Sequence, residues 1–197
     1  MFGCIHENIY KVYRINVIIR TTMQATIDEH TIFNSQEYTD MKNKRSARDH
    51  YIELGASDDI LKLVGTNNKT FGTFGERLVR NIFDLDMPVN SQHDGLCLGR
   101  KIEIKTPRYG RDGKYFVEHL KKEHDFEFIL INLLTENGFS TMIMSKRDAL
   151  PKFRLQKGEG HMLHQKDIEK LSTVIRSPID VKKFIKKHRT KSWVLND

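Results

Sequence analysis

Three side chains in the middle of the chain have the types and spacing for phosphodiester chemistry: Asp94, Glu103 and Lys105. In Lys101-Ile102-Glu103-Ile104-Lys105, charged and β-branched residues alternate, which predicts a strand with one buried face. Ile102 and Ile104 then face the core, while Lys101, Glu103 and Lys105 share the other side. Asp94, in His93-Asp94-Gly95, lies upstream of a turn near Gly99. A hairpin through that turn brings both carboxylates beside the lysine. Two carboxylates offer oxygen ligands to a hard cation such as Mg²⁺, with Mn²⁺ as a substitute. Such an ion polarises a phosphodiester and acidifies a water, and the lysine can orient that water or stabilise charge on the phosphate.

An acidic residue two positions before a lysine is common by chance. The same pattern occurs in Asp40-Met41-Lys42, Asp112-Gly113-Lys114 and Asp180-Val181-Lys182. None of these stands in an alternating strand with an Asp-Gly turn upstream, so context singles out Glu103-Ile104-Lys105. Alone, that triplet also reads as a solvated strand face.

The elements that must hold these residues follow from periodicity. Phe74, Leu78, Ile82 and Phe83 recur at helical spacing, predicting a helix from about Thr73 to Leu85 that Pro88 ends. Val89–Leu98 and Arg100–Thr106 read as two strands joined near Gly99, and Asp125–Leu134 as a buried strand paired with Thr141–Ser145 across Asn137-Gly138. Helical propensity near Ser46–Leu54 and a short helix capped by Ser57-Asp58-Asp59 precede a turn at Thr66–Lys69. Tyr13, Ile15, Val17 and Ile19 share a strand parity, and residues 21 to 44 read as loop with short helix. After Ser145 the sequence reads as loops, then a basic helix opened by Ser177-Pro178 with Val181, Phe184 and Ile185 as its apolar stripe. The expected fold is α/β or α+β, a central mixed sheet flanked by helices. We divide it into an N-terminal segment (1–65) packed on or extending the core, a catalytic core (66–150) and a C-terminal basic region (151–197).

The chain of 197 residues carries a net charge of +7 and a pI near 9.3, which favours a polyanionic partner. Arg108, Arg111 and Lys114, following Thr106 in a glycine-containing loop, are the nearest candidates for phosphate contact, with Arg108 foremost. Lys182, Lys183, Lys186 and Lys187, with Arg189 and Lys191, form a second basic run without an acid among them. Lys42, Lys44, Arg45 and Arg48 form a weaker one. His161 and His164 raise a zinc site, but no cysteine is near, and a loop contacting nucleic acid fits them better. Cys4 and Cys97 are the only cysteines, too few for a disulfide framework. With no apolar run of membrane-spanning length and no signal-like start, the chain is expected to be cytoplasmic.

The order Glu76 on a helix, Asp94 before a hairpin, and Glu103-Ile104-Lys105 on the next strand resembles the PD-(D/E)xK nuclease superfamily, in which restriction endonucleases are the best-known members. The resemblance spans about Phe71 to Ser145. It implies a restriction-endonuclease-like core, Asp94 and Glu103 as metal ligands, the Ile104 carbonyl completing the set, and Lys105 assisting the attacking water. Glu76 matches an acid that some members carry on the preceding helix, where it binds metal directly or through water. His93 stands where the family name has proline. The implied activity is metal-dependent cleavage of double-stranded DNA by a homodimer, most like a type II restriction endonuclease. A repair nickase, junction resolvase or mobile-element nuclease would share this core, and a non-catalytic nucleic-acid-binding protein would share the charge.

Overall fold

A computed structural model describes residues 46–156 and 160–189, all within one compact unit; the strand and loop expected before residue 45 lie outside the described residues. Helix α1 (Ala47–Glu53) opens with a reciprocal cap, in which Asp49 N–H bonds to the Ser46 hydroxyl and the Asp49 carboxylate accepts from Ser46 N–H. Helix α2 (Asp58–Gly65) follows. Helix α3 (Asn68–Phe83) starts five residues before the expected Thr73, because the Asn67 side chain accepts from Thr70 N–H at 2.9 Å and caps it. Glu76 is therefore in mid-helix rather than in the first turn. Asp84, with φ of 53°, turns the chain out of the helix, so the helix stops before Pro88 is reached.

Strands β1 (Gly95–Cys97) and β2 (Arg100–Lys105) form the expected hairpin. Both residues of its turn, Leu98 and Gly99, have positive φ, which matches the twist of the flanking strands. The first strand is shorter than predicted: Val89–His93 form turns, and β1 bridges Asp86 on its outer side instead. Strand β4 (Phe128–Thr135) runs parallel to β2, and β5 (Gly138–Ser145) returns antiparallel to it and leads into the short helix α4 (Lys146–Ala149). Thr135 pairs with Gly138, so the turn residues are Glu136 and Asn137. With β8 (Thr173–Val174) these make a mixed five-stranded sheet, ordered β1-β2-β4-β5-β8.

Seven of the eight β4 residues are buried, because both sheet faces are covered. On one face Ile102, Ile104, Phe128, Leu130 and Ile143 pack against Val79 and Phe83 of α3 and against Val181, Phe184 and Ile185 of helix α6 (Pro178–Arg189). On the other, Ile129, Ile131, Met142 and Met144 meet Val117, Leu120, Leu163 and Ile168. These belong to β3 (Phe116–Leu120), β7 (His161–His164) and helix α5 (Gln165–Leu171). Strands β3 and β7, with β6 (Arg154–Leu155), form a second sheet ordered β3-β7-β6; the sequence reading has loops at β6 and β7 and assigns no element at β3. The chain is thus a mixed α/β fold with a mixed central sheet flanked by helices. Among the described residues no helix is long and apolar enough to cross a membrane.

Candidate active site

Strand alternation sorts β2 as its sequence predicts. Ile102 and Ile104 enter the helix-covered core, while Lys101, Glu103 and Lys105 take the opposite face, where Lys101 pairs with Asp125. Lys105 Nζ lies 2.7 Å from Glu103 Oε1, and Glu103 is only 6 % exposed. Asp94 sits where β1 begins. Its N–H donates to the Ile102 carbonyl at 2.9 Å, and its Oδ2 accepts from Ile104 N–H at 2.7 Å. Arg80 Nη1 from α3 holds the Asp94 carbonyl at 2.9 Å. In an extended strand a residue's N–H and C=O leave on the same side, so the Ile104 carbonyl emerges on the Asp94 edge.

The electrostatics tie Glu76 to this group. Burial pushes its carboxyl up from 4.5, Asp94 and Glu103 push the same way, and Arg80 and Lys105 oppose them. Glu103 is also raised by burial; Lys105 opposes this and Asp94 adds to it. The close approach of α3 to the end of β2 makes this possible: a Cβ on Gly75 would lie 1.9 Å from Thr106 Oγ1. Only glycine lets the helix rest there, and its neighbour Glu76 is delivered beside the neighbour of Thr106, Lys105. Among the described residues no three His, Cys, Asp or Glu side chains gather tightly enough to hold a cation by themselves. The donors on offer are oxygens only: the Asp94 and Glu103 carboxylates and the Ile104 carbonyl, with Glu76 nearby. That set fits a hard ion that keeps several waters.

The basic residues divide. Arg108, expected foremost at phosphate, is instead turned into the protein. Its Nη1 donates to the Val64 carbonyl at 2.6 Å and the Thr66 carbonyl at 2.9 Å, its Nη2 to Asn68 Oδ1, and its guanidinium lies over the Phe71 ring. These contacts satisfy carbonyls at the end of α2 and tie α2 to the start of α3. The loop after β2 is pinned at two further points. Tyr109 N–H donates to the Tyr51 hydroxyl at 3.1 Å, and Gly113 packs under the His50 ring. Arg111 and Lys114 remain exposed on it, with Lys114 3.5 Å from Asp112. On α6, Lys182 lies 3.6 Å from Asp84, and Lys183, Lys186 and Lys187 are exposed. That helix covers the sheet face opposite the one that carries Glu103 and Lys105. Lys191 and the Arg189 side chain lie outside the described residues.

His161 and His164 are strand residues rather than loop residues. Three apart on β7, they point to opposite sides; His161 Nδ1 is 3.3 Å from the Leu120 carbonyl, and His164 meets the Phe116 ring edge-on. They share no metal geometry. Sequence reasoning missed Arg80 and Gly75, whose contacts with Asp94 and Thr106 depend on partners distant in sequence. Compared with known proteins, the chain matches no family model, and no curated protein matches it.

Proposed function

We propose that the chain is a Mg²⁺-dependent endonuclease hydrolysing phosphodiester bonds of double-stranded DNA, with a restriction-endonuclease-like core of the PD-(D/E)xK type. One observation carries the reading: Asp94 Oδ2 is anchored at 2.7 Å on the backbone of Ile104, the residue between Glu103 and Lys105. An acid distant in sequence is thereby set against the strand that presents a carboxylate and an ammonium 2.7 Å apart. A solvated strand face requires no such anchor and would not bury Glu103.

Asp94, Glu103 and the Ile104 carbonyl would hold the cation, with Glu76 as a further oxygen donor. When bound, the ion supplies Lewis-acid stabilisation of negative charge on the phosphate and makes the attacking water more acidic. Lys105 donates to that water or to a non-bridging phosphate oxygen, held in register by the rigid strand. Ile104 and Ile102 anchor that strand in the core, and the Arg80 bond to Asp94 fixes the edge of the site. Arg111 and Lys114 contact the DNA backbone, with the lysines of α6 as a second, more distant set. A homodimer would address the two strands with two sites.

The test separates binding from cleavage. Lys105→Ala and Asp94→Ala are each expected to retain duplex binding in a gel-shift assay while losing at least about a hundredfold in Mg²⁺-dependent cleavage. Cleavage at the parent rate in both variants would remove the mechanism.

A further inference from the structure

Next to the apolar residues Ile104, Leu130 and Ile143 on the face of the central sheet covered by α3 and α6 lies a transverse row of polar ones. The parallel ladder ends at Lys105↔Ile131, but the isolated bridge Arg108↔Leu134 keeps the same offset, which sets Thr106 opposite Asn132. Asn132 pairs in turn with Thr141 on β5. By alternation all three point to the face that carries Ile104 and Leu130. Asn132 is 1 % exposed in the middle of the most buried strand.

Only one link of this row is closed by a hydrogen bond: Thr141 Oγ1 donates to Asn132 Oδ1 at 2.8 Å. At the other link, Asn132 Nδ2 and Thr106 Oγ1 are both buried without a protein partner. One is a donor and the other can accept. They stand at adjacent register positions on strands about 4.8 Å apart, so a modest side-chain rotation joins them. Leaving both unpaired in an apolar layer is the costlier state. Thr106 is also the residue on which α3 rests, through the close approach at Gly75. Glu76 follows Gly75, and Lys105 precedes Thr106.

We propose that Asn132 is a positioning residue: Thr141, Asn132 and Thr106 form a hydrogen-bonded strut across three strands that holds Thr106 against Gly75 and thereby sets Glu76 relative to Lys105 and Asp94. Its effect on cleavage rests on the nuclease reading; the strut itself does not.

The test uses the full chain with Thr106→Val, Thr106→Ser and Asn132→Leu. In the parent, NMR is expected to show Asn132 side-chain amide protons exchanging slowly with solvent. Thr106→Val should lose that protection and Thr106→Ser should keep it. In plasmid cleavage at a temperature where every variant is folded, Thr106→Val and Asn132→Leu should lower kcat by roughly ten- to a hundredfold with KM little changed; each strands a buried polar partner and should also melt below the parent, and Thr106→Ser should keep the parent's rate and melting temperature. Unprotected amide protons in the parent, or parental kcat in Thr106→Val, would overturn the proposal. A parent that cuts no DNA would sink the nuclease reading instead, while the amide exchange still decides whether the strut exists.

Discussion

Glu103 and Lys105 are bound to each other more tightly than a surface pair. With the carboxylate 6 % exposed, removing the lysine strands a buried charge, which costs more than the contact itself contributes. Lys105→Ala is therefore expected to lower stability by about 2 kcal/mol, and Glu103→Gln on top of it to recover most of that loss, as read from urea unfolding. A double variant no more stable than Lys105→Ala would mean that the charge is relieved some other way. Glu76 has the opposite sign of effect. Its folded pKa lies above its ordinary value of 4.5 because of burial and the Asp94 charge, so the native state holds the extra proton between the two values. Stability falls as pH rises through that interval, and the penalty persists above it. Glu76→Gln should accordingly melt higher than the parent at pH 7, with the gap closing below 4.5. Equal melting at pH 7 would contradict this. A carboxylate held at such a cost is what a cation would relieve: Mg²⁺ should raise the parent's melting temperature and leave Asp94→Ala unmoved.

At the scale of elements, the site depends on how closely α3 meets the end of β2. Gly72 and Gly75 occupy the same helix, but an added Cβ meets nothing at Gly72 and Thr106 at Gly75. Gly72→Ala should stabilise the protein by about 0.5–1 kcal/mol through helix propensity. Gly75→Ala should destabilise it by about 1–3 kcal/mol and abolish cleavage. Thermal melts of the two variants check this directly, and a neutral Gly75→Ala would refute the close packing. The same contrast shows what could be read from sequence. The period-two pattern from Lys101 to Lys105 carries its own geometry, so the shared face of Glu103 and Lys105 was legible, as were α3 and the β1–β2 hairpin. Arg108 was misread because its partners, Val64, Thr66 and Asn68, come into reach only when α2 folds back. The second sheet was invisible for another reason: β3 carries an irregularity and a positive φ at His119, and His161–His164 has no alternation. Both are strands because they pair, not because of their own residues. The start of α3 was missed because Asn67 was read as part of a turn rather than as a cap.

At the scale of the whole molecule, the net charge of +7 is less informative than its distribution. Arg111 and Lys114 extend from the pinned loop after β2, whereas the α6 lysines lie over the opposite sheet face. Each phosphate contact contributes about 0.9 to the dependence of log affinity on log salt concentration. The variant Arg111→Ala/Lys114→Ala should flatten that slope by about 2, and Lys183→Ala/Lys186→Ala by less. The reverse order would mean that the duplex lies across α6. The measurement that tests the central claim most directly is plasmid cleavage by the parent chain in Mg²⁺ and in EDTA, with Asp94→Ala and Lys105→Ala alongside. Strand scission that requires the metal and disappears in both variants is the expected result. A parent that binds plasmid yet cuts it with neither Mg²⁺ nor Mn²⁺ would contradict the account.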